Sequence, residues 1–226
     1  MKKVLAIIPA RGNSEGLKKK NIYPLNNKEL IAYTIEAAKN SKYITDVYVN
    51  SDNEEILSIA KKYKTKTYKR DANLALNDTP SQDVVYDMLH TLKEHYDTIV
   101  LLQPTSPLRD TQDIDDSLNL FYTNGAEALI SMYRPQHSPL KAFMLNEDNY
   151  LQGVVNNQYP FMPRQKLPAA YYPNGAIYII QTDIFLQNKG FFSEKTIPYI
   201  MDEYKSIDID TISDIKKVEK LLKQKV

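Results

Sequence analysis

The chain of 226 residues contains no cysteine and no tryptophan. Without cysteine it cannot form disulfides, thiolate metal sites or a cysteine nucleophile. Its three histidines, His90, His95 and His137, do not have the spacing of a zinc site built from three histidines. An excess of charge is also missing, because 29 Lys and Arg residues face 28 Asp and Glu residues, for a formal net charge of +1. This balance gives no electrostatic basis for general nucleic-acid binding.

Long apolar segments are absent from the amino-terminal region. The first apolar run, residues 4–10, contains Pro9 and is far shorter than the ~20 residues that a membrane-spanning helix needs. No small-residue cleavage site follows this run, as it would in a secretory signal peptide. We therefore expect no membrane partner and a cytoplasmic location.

Glycine is scarce, with six residues in the whole chain, and two of them, Gly12 and Gly16, fall in one short loop. This placement indicates a requirement of the backbone at that loop. The composition is otherwise that of a globular protein, with 42% hydrophobic and 25% charged residues. The length predicts one domain, residues 1–226, with a sizeable insertion, rather than two independent cores.

Apolar runs and amphipathic stretches alternate along most of the chain, which predicts an α/β fold with right-handed βαβ units and a mainly parallel sheet. Asp52 and Glu55, and likewise Thr211 and Asp214, have the spacing of helix-capping boxes. The predicted strands cover residues 4–9, 46–51, 65–69, 98–103, 126–133, 175–180 and 206–210. The predicted helices cover residues 28–40, 52–63, 80–95 and 110–122, and a last one follows residue 211.

The alternation stops between residues 134 and 173, a segment that contains Pro135, Pro139, Pro160, Pro163 and Pro168. The segment has no helical periodicity. We interpret it as an insertion within the single domain, with short strands near residues 141–145 and 150–155.

The loop after the first strand, residues 9–21, is the first candidate site. Ligands of open parallel sheets bind beyond the carboxyl ends of the strands, which is where this loop lies. It offers Arg11, Ser14, two glycines and the lysines at 18–20, an inventory suited to a polyphosphate. The glycine spacing matches neither a dinucleotide fingerprint nor a Walker A loop. The alternative is a solvated lysine run after a tight turn.

Asp208 and Asp210 form the second candidate site. In a strand over residues 206–210 both carboxylates would lie on one face, about 7 Å apart, and could share a hard cation with phosphate oxygens and water. The alternative is a half-exposed strand with a polar face.

Three further polar loops could line the same crevice. The first covers residues 103–109 and begins with Gln103, and the second runs from Arg70 to Ser81. Ser81 is most simply a helix cap. The third comprises Arg164-Gln165 and residues 173–176, where the insertion returns to the core.

These loops, in this order, resemble the acylneuraminate cytidylyltransferases. The motifs that carry the resemblance are Ile8–Ser14 with Gly16-Leu17 and Lys20-Asn21, Leu102–Arg109, His137 with Pro139–Lys141, Pro163–Gln165, Pro173–Tyr178 and Ser206–Thr211. The resemblance extends over essentially the whole chain. It implies a Rossmann-like three-layer nucleotidyltransferase fold whose insertion serves dimerisation. The implied reaction transfers CMP from CTP to the anomeric hydroxyl of a nonulosonic acid and releases pyrophosphate. A homodimer and a Mg²⁺ requirement are implied as well.

The resemblance also implies roles for individual residues. Catalysis would rest on Arg11, Lys20, Asp208 and Asp210, and the two aspartates would hold Mg²⁺. The nucleotide would be bound by Arg11, Gly12, Ser14, Lys20, Asn21, Arg70, Ser81 and Gln103. The acceptor acid would be bound by Gln103, Lys141, Arg164, Asn174, Tyr178, Phe191 and Phe192, the two phenylalanines coming from the facing subunit.

The residue types suit this chemistry on their own account. A nucleophile approaches the α-phosphorus of CTP only when the triphosphate charges are neutralised and aligned, which Arg, Lys and Mg²⁺ do. The nucleophile belongs to the acceptor, so no protein nucleophile is needed. Two positions depart from the family pattern: Lys18 replaces the usual proline, and Tyr172 replaces an arginine that relatives acting on N-acetylneuraminate often have.

The departure at Tyr172 leaves the acceptor open. Legionaminic acid, pseudaminic acid and the eight-carbon acid of lipopolysaccharide are alternatives within the same reaction. A non-catalytic nucleotide-sugar binding module is the alternative from another class, although retention of the charged site residues speaks against it.

Overall fold

The computed structural model describes residues 2–13 and 16–224. The strands are β1 (Val4–Pro9), β2 (Pro24–Leu25), β3 (Lys28–Glu29), β4 (Asp46–Ser51), β5 (Lys66–Lys69), β6 (Thr98–Leu101), β7 (Ala128–Tyr133), β8 (Phe143–Leu145), β9 (Leu151–Gly153), β10 (Tyr172–Gln181) and β11 (Thr196–Ile200). The helices are α1 (Leu30–Lys39), α2 (Glu54–Lys62), α3 (Ser81–Thr91), α4 (Thr111–Thr123), α5 (Thr182–Asn188) and α6 (Ile212–Gln224).

One seven-stranded sheet, in the order β11-β7-β10-β6-β1-β4-β5, organises the molecule. β1 pairs in parallel with β4 and β6, β4 with β5, and β7 with β11. β10 is antiparallel to both of its neighbours, β6 and β7. The predicted mainly parallel sheet is therefore confirmed. Within this sheet, every strand except β10 has its carboxyl end at the same edge, and the loops that follow these strands meet there.

The side chains of β1 alternate between the two faces of the sheet, as expected for a central strand buried on both sides. Val4, Ala6 and Ile8 pack with α1, α2 and α4, while Leu5 and Ile7 pack with α3 and α5. The chain thus forms the predicted three layers, with the sheet in the middle.

A third apolar cluster ties the loops at the carboxyl edge to α6. It contains Leu17 from the loop after β1, Leu108 from the loop after β6, and Ile209 from the segment before α6. Ile215 and Val218 of α6 cover these three side chains. Burying each such side chain stabilises the fold by roughly 1.5–3 kcal/mol, so the cluster fixes three loops that are far apart in sequence.

Two local predictions are wrong. Helix α2 is capped by Asn53, whose Oδ1 accepts hydrogen bonds from the backbone N–H groups of Glu55 and Ile56. Asp52, predicted as the cap, instead accepts a 2.8 Å hydrogen bond from the N–H of Gly12. Residues 206–210 form no strand: a 3₁₀ turn over Glu203–Ser206 is followed by an extended segment without a strand partner.

The second capping box is confirmed. The N–H of Thr211 donates to Oδ2 of Asp214 at 3.0 Å, and the N–H of Asp214 donates back to Oγ1 of Thr211 at 3.4 Å. Helix α5 and strand β11 were not predicted: both are short, and α5 follows directly on β10.

The insertion after β7 contains the antiparallel hairpin β8–β9, as predicted, and three 3₁₀ turns. Its apolar side chains contribute little to the core, and the most exposed of them is Phe161, at 81%. Within the described residues, no helix combines the length and the apolar character that crossing a membrane requires.

Candidate active site

A cavity of about 280 Å³ lies at the carboxyl edge of the sheet, beyond β1, β4, β5 and β6. Its lining includes six of the residues predicted to bind a nucleotide: Arg11, Lys20, Asn21, Arg70, Ser81 and Gln103. These residues come from four separate parts of the chain. Parallel pairing brings them together, because each loop begins where its strand ends at the same edge.

Arg11 is held by main-chain oxygens rather than by a carboxylate. Its Nη1 donates to the carbonyl of Asn77 at 2.9 Å and, more weakly, to that of Leu76 at 3.4 Å. Asn21 is buried and donates from Nδ2 to the carbonyl of Arg11 at 2.9 Å. These bonds orient the guanidinium without neutralising it, so its charge remains available to an anion in the cavity.

Arg70 is buried at the end of β5, with only 6% of its surface exposed. Its Nε donates to Oδ1 of Asn50 at 2.7 Å and its Nη2 to the Asn50 carbonyl at 3.0 Å. Burial lowers the pKa of Arg70 to about 10. A buried guanidinium attracts an incoming phosphate more strongly than one in water does, because the effective dielectric constant around it is lower.

The lysines at 18–20 were interpreted either as part of a polyphosphate site or as a solvated run, and the structure divides them between the two. Lys18 is exposed, and Lys19 forms an exposed ion pair with Glu55 at 2.7 Å. Lys20 instead lines the cavity and donates to Oδ1 of Asp210 at 2.7 Å. One lysine of the run thus belongs to the candidate site and the other two lie on the surface.

Asp208 and Asp210 lie in the extended segment before α6 rather than in the predicted strand. Both residues are exposed overall. The Ile209 between them is buried, and its N–H donates to the carbonyl of Thr105 at 2.9 Å. Partial burial raises the pKa of Asp208, a hydrogen bond from Thr105 opposes the shift, and the negative charge of Asp210 adds to it. The segment thus presents two neighbouring carboxylates beside Lys20.

Gly16 explains why the first loop needs glycine. A Cβ at this position would lie 2.7 Å from the carbonyl oxygen of Asp210, closer than any side chain allows. The loop and the acidic segment can therefore approach each other only with glycine here. Gly12, predicted to bind the nucleotide, does not line the cavity; its N–H is used by Asp52. Ser14 lies outside the described residues.

The loop from Arg70 to Ser81 contributes more than the sequence indicated. Leu76, Asn77 and Thr79 also line the cavity. Ser81, expected as a helix cap, is the first residue of α3, whose N-cap is Pro80 without a side-chain hydrogen bond. The prolines and polar residues before α3 marked the loop, but no pattern identified its individual lining residues.

Gln103 lines the cavity and was predicted to bind both the nucleotide and the acceptor acid. Gly175 adopts a φ of +74°, which favours glycine, and a Cβ there would lie 3.0 Å from Oε1 of Gln103, so the end of that side chain would have to shift. Asn174, predicted to bind the acceptor, is buried and uses its own polar atoms internally. Its Oδ1 accepts from Ser131, and its Nδ2 donates to Ser206 at 2.9 Å. Asn174 therefore positions β10 against β7 and the segment before Asp208.

The two adjacent phenylalanines have different environments. Phe191 packs inside its own chain, with its ring centroid 5.0 Å from that of Phe185 and 5.8 Å from that of Tyr178. The contribution of both phenylalanines from a facing subunit stays a prediction. Phe192 is 67% exposed, as a contact with a second copy would require.

The remaining acceptor-side residues are spread more widely. Burial raises the pKa of Tyr178, and the nearby negative charge of Asp208 raises it further. Tyr178 therefore lies close to the acidic segment. Lys141 and Arg164 are exposed on the insertion, and neither lines the 280 Å³ cavity.

Comparison with known proteins identifies the class of protein to which the chain is similar. The chain is 37% identical over its whole length to the post-translational flagellin modification protein B of Campylobacter coli, covering 97% of that protein. It is 36% identical, again over its whole length, to the CMP-N,N'-diacetyllegionaminic acid synthase of Campylobacter jejuni, also covering 97%. It is 34% identical over 95% of its length to the N-acylneuraminate cytidylyltransferase of Escherichia coli, of which it spans about half, 51%.

Among solved structures, CMP:2-keto-3-deoxy-manno-octonic acid synthetase in complex with CTP matches 99% of this chain with a TM-score of 0.72 and 17% identity, and 100% of that chain is covered. This likeness concerns the fold. The sequence also matches the profile of the cytidylyltransferase family over residues 5–226. The chain therefore belongs to the cytidylyltransferase family, as its sequence motifs and the residues of its cavity predict, and is a nucleotidyltransferase.

Proposed function

We propose that this cytidylyltransferase activates a nonulosonic acid: the anomeric hydroxyl attacks the α-phosphorus of CTP, the CMP ester forms, and pyrophosphate leaves. The observation that carries the proposal is the convergence of Arg11, Lys20 and Arg70 on one cavity together with Gln103 and Ser81. The names of relatives that match nearly the whole chain support the class of acceptor.

On the nucleotide side, the three cations neutralise the triphosphate and hold it in line for attack. Arg70 is buried and held by hydrogen bonds to Asn50, so its side chain is already ordered before it binds the triphosphate. Arg11 and Lys20 reach the cavity from the loop after β1. The bond broken is the anhydride between the α- and β-phosphates, and charge neutralisation and positioning are then the main sources of rate acceleration, as is usual in phosphoryl transfer.

Asp208 and Asp210 are the residues that would hold Mg²⁺. Within residues 2–13 and 16–224, no three His, Cys, Asp or Glu side chains are arranged as a metal site, so two carboxylates are what this chain offers. Their oxygens suit a hard cation. Burial is the main cause of the raised pKa of Asp208 and the negative charge of Asp210 adds to it, and a bound cation would oppose both effects. When bound, Mg²⁺ would neutralise phosphate oxygens and polarise the phosphoryl group.

A homodimer is part of the proposal. The insertion exposes a set of large apolar side chains that a lone chain would leave in water: Phe143, Met144, Leu145, Tyr150, Leu151, Val154, Val155 and Phe161. Large apolar side chains exposed together in one segment are typical of interaction sites. A second copy would cover it and bring Phe192 towards a neighbouring acceptor site. Location in the cytoplasm stays a prediction from the sequence.

A diacetylated acid of the legionaminic type is a second candidate for the acceptor. The full-length similarity to a legionaminic acid synthase favours it. So does Tyr172, which stands where an arginine is common in relatives acting on N-acetylneuraminate; its ring lies 6.1 Å from that of Tyr133. Both candidates share the same reaction.

The proposal is tested by measuring pyrophosphate release from CTP and Mg²⁺ with a panel of nonulosonic acids, with the product identified by mass. We expect release that depends on both CTP and the acid, and a CMP-sugar of the corresponding mass. Release with N-acetylneuraminate or only with a diacetamido relative would decide between the two acceptors. CTP binding without turnover of any acid would contradict the proposal and favour a non-catalytic module.

A further inference from the structure

A second cavity, the amino-edge cavity, lies at the edge of the sheet opposite the candidate active site and measures about 430 Å³. Two lysines, two tyrosines and a valine line it: Lys2, Lys42, Tyr43, Tyr122 and Val4. Val4 begins β1, and Pro9, which lines the 280 Å³ cavity, ends it. At ~3.3 Å per residue these two positions are roughly 17 Å apart, so the two cavities are separate.

The two tyrosines form ordered walls of the amino-edge cavity. Their ring centroids are 6.2 Å apart and their planes are tilted by 41°. The hydroxyl of Tyr43 donates to Oδ1 of Asn119 at 3.2 Å, and that of Tyr122 donates to Oγ1 of Thr98 at 3.1 Å. Both rings also pack against the main apolar cluster. Each ring is thus held by its polar end, and its apolar surface is available to a ligand.

The two lysines carry uncompensated charge. Nζ of Lys2 lies 5.3 Å from the ring centroid of Tyr122, and Nζ of Lys42 lies 5.4 Å from that of Tyr43. Among the residues that the structure describes, neither ammonium group has a hydrogen bond or an ion pair. Three other lysines that lie over tyrosine rings each pair with a carboxylate: Lys28, Lys62 and Lys66. Two unpaired cations beside aromatic walls favour an anion.

The nearby carboxylate of Asp97 does not fill this role. Burial raises the pKa of Tyr122, and the charge of Asp97 adds to the rise although a hydrogen bond with Thr98 opposes it. Oδ2 of Asp97, however, accepts the backbone N–H of Lys3 at 2.6 Å, and Asp97 does not line the cavity. An anion inside the cavity would therefore meet the two lysines.

We propose that the amino-edge cavity binds an aromatic anion, whose ring packs against Tyr43 and Tyr122 and whose negative group pairs with Lys2 and Lys42. An uncharged ring would not use the lysines, and an inorganic anion would not use the tyrosines. The volume lies within the range of small-molecule pockets, about 300–1,000 Å³, and exceeds that of the 280 Å³ cavity, so it is large enough for a nucleoside monophosphate. This site goes beyond the proposed function. A nucleotide and a simple aromatic acid share the required chemistry.

Calorimetric titration of the full chain with phenyl phosphate tests the site, because this probe has a ring and a phosphate but neither cytosine nor ribose. We expect saturable binding with a Kd of about 1 mM or lower. In the double variant Lys2→Gln with Lys42→Gln, the Kd should rise about tenfold or more, because both charged partners of the phosphate are lost. The melting temperature should not change, since neither ammonium group has a partner in the fold.

Lys62→Gln is the matched control. Nζ of Lys62 also lies over a tyrosine ring, that of Tyr63 at 5.6 Å, but it pairs with Glu29 and does not line the cavity. Its Kd for phenyl phosphate should stay within about twofold of the wild type. The aromatic wall is tested separately. Tyr43→Leu should weaken binding several-fold, whereas Tyr43→Phe, which keeps the ring, should bind as the wild type does.

CMP distinguishes the two sources of the ligand. If the cavity accepts nucleotides, CMP should occupy two sites in each wild-type chain and one in the double variant of Lys2 and Lys42. If it accepts only smaller aromatic acids, CMP should occupy one site in both proteins, while phenyl phosphate still binds more weakly to the double variant. Either result supports an aromatic-anion site.

Three results would overturn the proposal. They are no saturable binding of phenyl phosphate up to about 10 mM, a Kd that the double variant leaves within twofold, and an equal loss of binding in Lys20→Gln. The last result would assign the probe to the 280 Å³ cavity, which Lys20 lines. Pyrophosphate release from CTP and the acid should be the same in the double variant and the wild type, because Lys2 and Lys42 lie outside that cavity. The proposed function is therefore tested independently of this site.

Discussion

Lys205 should be the most consequential surface-accessible lysine for stability, and Lys205→Met tests this. Its Nζ donates to Asp110 at 2.9 Å and to both carboxylate oxygens of Asp113 at 2.8 and 2.9 Å. The Lys205 side chain is only 16% exposed and that of Asp113 only 9%. The three residues join the 3₁₀ turn before Asp208 to the amino end of α4.

Removing the lysine leaves Asp113 buried without a compensating charge. Breaking a buried pair in this way costs about 3–5 kcal/mol, whereas an exposed pair contributes about 0–1 kcal/mol. We therefore expect Lys205→Met to lose about 3 kcal/mol of unfolding free energy, since Asp110 is partly exposed and relaxes. Lys195→Met is the control: Lys195 pairs with Glu127 at 3.1 Å, but its side chain is 72% exposed. It should lose less than 1 kcal/mol.

The loss should depend on pH in a defined direction. Burial raises the pKa of Asp113 even in the wild type, and without the lysine the pKa rises further. A carboxyl with a raised pKa in the folded state binds its proton more tightly when folded. The stability that this proton confers is present at low pH and is lost as the pH rises through the folded pKa. The Lys205→Met loss should therefore be larger at pH 8 than at pH 5.

Urea unfolding at a fixed protein concentration measures these differences, and the fixed concentration matters because a dimer couples stability to association. Asp113→Asn combined with Lys205→Met should recover part of the loss, because it removes the buried charge. Equal losses in Lys205→Met and Lys195→Met, or a larger Lys205→Met loss at pH 5, would refute the reasoning.

Three further predictions concern the site. Gly16→Ala should raise the KM for CTP about tenfold, because its Cβ would collide with the Asp210 carbonyl, while Gly190→Ala, where the nearest atom is 3.9 Å away, should leave kinetics unchanged. Asp210→Ala should lower kcat by a factor of about 10²–10³ with an unchanged melting temperature, and wild-type turnover would contradict the metal assignment. Phe191→Ser should lower the unfolding free energy by about 2–3 kcal/mol, whereas Phe192→Ser, an exposed position, should lose almost none but should lower turnover if a second copy uses it.

The sequence predicted which residues come together around the 280 Å³ cavity, for a physical reason. Most of the predicted lining residues come from loops that follow a strand of the sheet, such as Arg11 after the buried strand β1 and Arg70 after the edge strand β5. Parallel strands place their carboxyl ends at one edge, so residues far apart in sequence can be assigned to one cavity from strand order alone. The 2.7 Å contact of Lys20 with Asp210 spans 190 positions of the chain and has another origin, because Asp210 follows no strand and its segment is held by Ile209 in the third apolar cluster.

The errors have a common cause as well. The alternation of apolar Ile207 and Ile209 with two aspartates predicted a strand. The segment pairs with no other strand, and it is held instead by the third apolar cluster and by a hydrogen bond to Thr105. Alternating burial reports which side chains point inward, and it does not require a ladder of hydrogen bonds. Likewise, Asp52 was predicted to cap α2 from local spacing, but its carboxylate is used by Gly12, a contact that only the fold creates.

The residues predicted for the acceptor side do not line one common cavity, because they are less constrained by the core. Lys141 and Arg164 lie in an insertion whose large apolar side chains are mostly exposed, so no burial pattern fixes their positions. Arg11 and Arg70, in contrast, are held by hydrogen bonds to main-chain and side-chain groups of neighbouring strands and loops. Substitutions at the nucleotide side therefore disturb binding and the fold together. Because large apolar side chains of the insertion are exposed, substitutions between residues 134 and 171 should cost little stability, and under the proposed function this would allow the acceptor to change while the nucleotide cavity stays the same.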